Sequence, residues 1–207
     1  MTHSIYDTDF QQKDLGSKIV IALDRLSEVF RTLLRDYAKA WGISPIQIQI
    51  LIFIAYHQQS YCTVSHLAKE FNLSKPTISD AIKILHQKGL IVKEISSLDT
   101  RSYTVSLLES GKQIVTETEG FANPIRNALQ LNTEEELNTL YDSLSTLIYR
   151  LNQTGVLQVQ RICYACKFYE INHGTHHCNL LQKNLHIKEI RVDCPEFDKK
   201  KGNKSGQ

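Results

Sequence analysis

Apolar residues recur three and four positions apart along most of this chain, which predicts a mainly helical protein with one small hairpin. Residues 1–17 show no clear period and read as a flexible arm with at most a short helical piece. Ile19, Ala22, Leu23, Leu26, Phe30, Leu33, Leu34 and Tyr37 then mark a long helix over 17–40, closed by Gly42. Ser44-Pro45 opens the next helix as N-cap and first helical residue. That helix, 45–56, is apolar on nearly every side except Gln47 and Gln49, so it is expected to lie buried and central. A short amphipathic helix follows over 63–71, with Val64, Leu67, Ala68 and Phe71 on its apolar face. After the turn Asn72-Leu73 comes SKPTISDAIKILHQKGL, 74–90. Ser74 suits an N-cap, Pro76 suits the first turn, and Gly89 suits a left-handed C-terminal position. Ile78, Ile82 and Leu85 form one stripe. Lys75, Thr77, Ser79, Asp80 and Lys83 are left on the other face.

Helix, short turn, capped helix is the helix-turn-helix pattern. Residues 90–95 are rich in Ile and Val, 97–100 supply turn chemistry, and 103–107 alternate as a returning strand. Tyr61 and Cys62 are expected to add a short third strand, and Cys62 reads as a small core residue. A helix-turn-helix followed by a hairpin is a winged helix, whose second helix can enter a DNA major groove. Taken alone, 74–90 is equally an ordinary amphipathic surface helix. Further on, residues 110–131 predict one long helix, or two broken near Asn123-Pro124. Thr133 and Glu136 form a capping box. Leu137, Leu140, Leu144, Leu147 and Leu151 then make a near-heptad stripe suited to a dimer interface.

From about residue 19 to 151 the chain resembles the MarR family of bacterial transcription regulators. The resemblance rests on Asp99-Thr100-Arg101 in the wing, then Val105, Leu107 and Gly111, and on Lys88-Gly89-Leu90-Ile91 at the end of the second helix. Glu109 stands where the family commonly has Thr. The resemblance implies a homodimer binding an inverted-repeat operator in double-stranded DNA. Ser74, Lys75, Pro76, Thr77, Ser79 and Lys83 would meet the major groove. Arg101, oriented by Asp99, would reach the minor groove. Two-fold half-sites about 34 Å apart need such a dimer.

Composition bounds the rest. A hydrophobic content of 42% supports a buried core. The net charge of +2 is small, but a specific operator protein needs only a local basic footprint. The start contains Asp7, Asp9 and Asp14 and no long apolar run, so no signal peptide is expected. The most apolar stretch, 46–56, is too short to span a bilayer, which takes about 20 residues. A cytoplasmic protein with no membrane partner is expected. Without a nucleophile–base pairing or a phosphate-cradling loop, no enzyme activity is expected either.

The composition changes after 152. Cys163 and Cys166 are followed by gaps of eleven and fifteen residues to Cys178 and Cys194. Four thiols in so short a segment point to a metal site, since cytosolic disulfides are unusual. The segment is expected to lack its own apolar core and to depend on metal–thiolate bonds. Its order of cysteines and aromatics also resembles the cluster-binding part of high-potential iron–sulfur proteins, over Cys163 to Phe197. Cys166-Lys167-Phe168-Tyr169, Cys178-Asn179-Leu180 and Cys194-Pro195-Glu196-Phe197 carry that likeness. A [4Fe–4S] cluster is placed ahead of Zn2+, with His173, His176 and His177 as substitute zinc ligands.

The resulting expectation is a mainly α fold with a small β wing: a winged helix-turn-helix flanked by N- and C-terminal helices forming a dimerisation domain, plus a small Cys-rich metal-binding appendage. Its parts are an arm over 1–17, the winged-helix and dimerisation domain over 18–152, the Cys-rich segment over 153–198 and a disordered basic tail over 199–207. Functionally it predicts a transcription regulator modulated by redox state, oxygen, nitric oxide or metal supply through the four cysteines. Two alternatives stand beside it: a purely structural zinc clasp with a small-molecule ligand elsewhere, and an iron–sulfur electron-transfer protein.

Overall fold

The structure, a computed structural model, describes residues 4–95, 103–159, 161–172 and 174–200. Helix α1 spans Thr8–Gln11, capped by Asp7. Helix α2, Leu15–Trp41, is capped by Asp14 and closed by Gly42 in the left-handed conformation. The arm expected over 1–17 is therefore shorter. Its last residues belong to α2, where the Asp14 carboxylate accepts from the Ser17 backbone N–H and the buried Ser17 hydroxyl. Helix α3, Pro45–Tyr56, carries the expected Ser44 start with a Ser44–Gln47 capping box. Ile48, Ile50 and Leu51 on it are fully buried. Helices α4, Val64–Glu70, and α5, Lys75–Gln87, follow, with Thr63 and Ser74 as N-caps.

Strands β1, Ile91–Ile95, and β2, Tyr103–Leu107, pair antiparallel with Ile91 opposite Leu107. The third strand expected at Tyr61-Cys62 is reduced to a bridge between Thr63 and Thr104 and one hydrogen bond from Val105 N–H to the Cys62 carbonyl. A 3-10 turn over Gln59–Tyr61 takes up the residues that would have extended it. Cys62 itself is wholly buried, and desolvation pushes its thiol up to about 11.

Helix α6 spans Glu109–Thr118, and a 3-10 turn over Glu119–Ala122 separates it from α7, Asn123–Leu129. Of the two arrangements expected over 110–131, the broken one is observed. Helix α8, Glu134–Gln153, opens with the Thr133–Glu136 capping box. Its leucine stripe is not packed away: Leu140 and Leu151 are exposed and Leu137, Leu144 and Leu147 only half-buried. Residues 153–198 do not lack a core. Strands β3, Tyr169–Asn172, β4, Thr175–Cys178, and β5, Lys183–Leu185, form an antiparallel sheet in that order. Cys166, Tyr169, Leu185 and Ile190 are buried together, with Tyr141 of α8 packed on them. Lys199 and Lys200, expected to open the basic tail, are instead tied to the module: Lys199 bridges Cys166 and Lys200 N–H bonds the Ala165 carbonyl. Residues 201–207 lie outside the described residues.

Among the described residues no single helix is long and apolar enough to cross a membrane. Helices α2 and α3 together have the length and composition but are bent by 91°, and α3 is the centre of the core.

The junction of hairpin and α6 is tight. A Cβ on Gly111 would stand 2.1 Å from the Leu90 carbonyl oxygen, which also accepts from Leu108 N–H. Gly111→Ala is expected to lower stability by roughly 1–3 kcal/mol, as overpacking does. Chemical denaturation checks this, and an unchanged midpoint would contradict the close approach.

Candidate nucleic-acid interface and thiol centre

Helix α5 is fixed from one side. Ile78, Ile82 and Leu85 are fully buried and Ala81 nearly so. The Ala81 carbonyl also accepts, at 3.4 Å, from the side-chain amide of buried Gln47 on α3. Every residue proposed from the sequence for the groove lies on the opposite, exposed side: Ser74, Lys75, Pro76, Thr77, Ser79 and Lys83. Asp80 is exposed there too. The Ser74 hydroxyl accepts from Thr77 N–H at 3.2 Å, which caps the first turn. Gly89, at φ 67°, ends the helix as expected and lets β1 leave at once. Asp99 and Arg101 lie outside the described residues, between β1 and β2.

Residues 41–102 match the MarR family model. Among curated proteins, the organic hydroperoxide resistance transcriptional regulator of Bacillus subtilis is 28% identical over 105 residues, 51% of this chain and 71% of that protein. The HTH-type transcriptional regulator SarZ of Staphylococcus epidermidis is 22% identical over 107 residues, 52% of this chain and 71% of that protein. Among solved structures, the S. aureus MepR–DNA complex matches with a TM-score of 0.57 at 23% identity, covering 64% of this chain and 97% of MepR. A MarR transcriptional regulator from Methanosarcina mazei Go1 matches with a TM-score of 0.57 at 20% identity, covering 66% and 97%. The chain thus has the MarR winged-helix fold, and its similar proteins are transcription regulators.

Outside the MarR-like part, Cys163, Cys166, Cys178 and Cys194 line one cavity with about 440 Å3 of atom-free space, mouth included. Cys163 opens a 3-10 turn, Cys163–Ala165, Cys166 caps its end and Cys178 ends β4. Cys194 follows Asp193, and its N–H bonds the Arg161 carbonyl at 3.0 Å. Phe168, Leu180, Leu181 and Leu185 supply apolar wall. Burial pushes the Cys163 thiol up. The Arg191 N–H, 3.2 Å from its sulfur, opposes this, and the neighbouring Cys194, Cys166 and Cys178 add to it. Among the described residues, no group of three or more Cys, His, Asp or Glu side chains is gathered so as to hold a metal ion. Of the histidines suggested as substitute ligands, His176 bonds the Tyr169 hydroxyl through Nδ1 and His177 bonds Asn184. Neither lines the cavity, and His173 lies outside the described residues.

Sequence reasoning missed a cluster beside the thiols. Arg161, with a side chain only 7% exposed, makes a bidentate pair with Glu70 at the end of α4, at 2.8 and 3.0 Å. It also pairs with Asp193. The Asp193 carboxylate meets His57 Nε2 at 2.8 Å, and the His57 ring stacks on Phe53 at 3.8 Å. Burial alone would raise the Asp193 carboxyl, but Arg161 and His57 hold it below its usual range. The guanidinium lies 5.6 Å from the Phe53 ring and 5.7 Å from the Tyr61 ring. The sequence did carry a hint, since opposite charges stand just ahead of Cys163 and Cys194.

Ser74→Ala should cost about 1 kcal/mol of stability, because the Thr77 N–H loses its partner. Lys83→Ala should leave stability within about 0.5 kcal/mol, since Lys83 is exposed. Thermal melts of the two variants side by side test the cap and the exposed face together.

Proposed function

We propose that this chain is a sequence-specific DNA-binding transcription regulator that acts as a cytoplasmic homodimer on an inverted-repeat operator. The observation that carries the reading is the α5 surface. One short helix buries its whole apolar stripe and turns Ser74, Lys75, Thr77, Ser79 and Lys83 outward, after a tight turn and before a hairpin. Groups near the helix start would meet phosphates and base edges, with Ser79 and Lys83 further along the groove. Arg101, oriented by Asp99, would reach the minor groove. The MepR–DNA complex supports DNA as the partner, and relatives that are transcriptional regulators support regulation rather than catalysis. Dimerisation is supported by apolar surface that one chain leaves uncovered. Ile19, Val20, Leu26, Val29 and Phe30 on α2 and Leu140 and Leu151 on α8 are each 38–48% exposed.

The four cysteines would hold a [4Fe–4S] cluster, ahead of Zn2+, and modulate binding in response to redox state, oxygen, nitric oxide or metal supply. Four thiols around one apolar-walled cavity suit a multi-iron cluster, which spreads its thiolates. Zinc instead draws four ligands to about 2.3 Å from one point. A second reading keeps the thiols as a structural zinc clasp and gives regulation to a small molecule. It is favoured by an open groove of about 840 Å3 lined by Phe30, Leu34, Arg35, Pro45 and Phe121.

Duplexes selected by the protein from a random pool should converge on an inverted repeat. Arg101→Ala should then lose preference for that repeat over random duplex while remaining a dimer; equal preference would remove the wing from the mechanism. Lys83→Ala should make the slope of log affinity against log salt shallower by about 0.9 for each phosphate that Lys83 neutralises. Protein purified without oxygen should be brown and carry several irons and sulfides per chain. A colourless protein with one zinc would select the clasp.

A further inference from the structure

The Cys-rich module touches two parts of the molecule that a DNA-bound dimer must hold at a set distance. Toward the reading unit, Arg161 grips Glu70 at the end of α4, and Asp193 meets His57 just after α3. The Gln58 amide donates to the Pro195 carbonyl at 3.3 Å. Toward α8, the Tyr141 hydroxyl donates to the Ile190 carbonyl and Lys188 pairs with Glu134 at 2.9 Å. The Tyr164 ring lies edge-on to Tyr149 with centroids 5.8 Å apart.

These anchors are interleaved with the thiols. Arg161, Cys163, Tyr164 and Cys166 lie on one segment; Ile190, Asp193, Cys194 and Pro195 lie on the other. The two segments are joined by Cys163 N–H to the Arg191 carbonyl and Cys194 N–H to the Arg161 carbonyl, both at 3.0 Å. Among the described residues, the buried side chains around them are few: Arg161, Ile162, Cys166, Tyr169, Leu185 and Ile190. A group bonded to Cys163, Cys166 and Cys194 would clamp the segments and, with them, both sets of anchors.

We propose that the module is a strut between the DNA-reading unit and α8, that filling of the four-thiol centre stiffens it, and that Arg161 is its joint to α4. This rests on the thiol and DNA readings above. A stiff strut presents the two recognition helices of a dimer at one spacing, so less order has to be gained on binding. The filled protein is therefore the tighter binder.

The test compares full-length protein reconstituted without oxygen, using ferrous iron and sulfide, with chelator-stripped protein. Hydrogen–deuterium exchange should slow on loading in α4 and in α8 as well as within 161–197. Affinity for the selected duplex should rise by about 5- to 150-fold, the usual range of coupling between sites. Arg161→Ala should still take up iron and sulfide and still slow exchange in α8. It should lose the response in α4, and its loaded and stripped affinities should differ by less than about twofold. Because Arg161→Ala leaves Glu70 facing a half-buried site, Glu70→Gln is measured beside it; it keeps the shape and should give the same uncoupling. Slowing confined to 161–197, or an α4 response that survives both variants, overturns the strut. Failure to bind iron and sulfide overturns the thiol reading and the strut with it. Coupled exchange without any preferred duplex supports the strut and overturns the operator reading instead.

Discussion

The orientation of α5 on α3 is the constraint on which the rest of the reading surface depends. Ile78, Ile82 and Leu85 have no exposed surface. Each such side chain contributes about 1.5–3 kcal/mol when taken out of water. Turning the helix by one residue, roughly 100°, would put that stripe in solvent and bury Ser79 or Lys83. The energy that holds the core is thus what aims the polar face outward. Gln47 refines the fit: it is buried, yet its amide reaches Ala81 on α5 and its carbonyl oxygen accepts from Ser44 N–H. Both ends of that side chain are satisfied, so a polar group sits in the core without a desolvation penalty left open.

The same logic cannot hold the last segment. Among the described residues its buried apolar set is small: Ile162, Cys166, Tyr169, Leu185 and Ile190. It leans on α8 through Tyr141 and on α4 through Arg161. A segment of this size generally needs a further fastening. The proposed filling of the cavity that the four thiols line would supply one.

Local signals are legible in the sequence. Asn72-Leu73, Ser74, Gly42, Gly89 and the Thr133–Glu136 box all mark the boundaries the structure shows. Each is read by neighbours within four residues, so nothing distant can overrule it. The break at 119–122 is ambiguous in sequence, because a Pro near a helix start is compatible with both a kink and a new helix. The strands β3 to β5 carry no sequence signal of the usual kind. They are short, rich in His and Asn, and held in register by backbone pairing rather than by an alternating pattern. The Glu70–Arg161 pair joins residues 91 apart, and no periodicity reaches that far.

The nature of that pair says what it is for. A guanidinium taken out of water loses hydration that a carboxylate only roughly restores, so a buried ion pair is weak evidence of net stability. Removing one partner is another matter, because the survivor is left charged in a poor solvent. The interaction therefore tolerates few intermediate geometries. Arg161 accentuates this, since two parallel N–H groups meet the two oxygens of Glu70 while Nε and Nη2 also donate to Asp193. Phe53 and Tyr61 lie against the guanidinium. An apolar contact at the same place would let the module slide over α4 with little change in energy. A forked, surrounded charge gives it a single register, which is the property a mechanical joint between two domains requires.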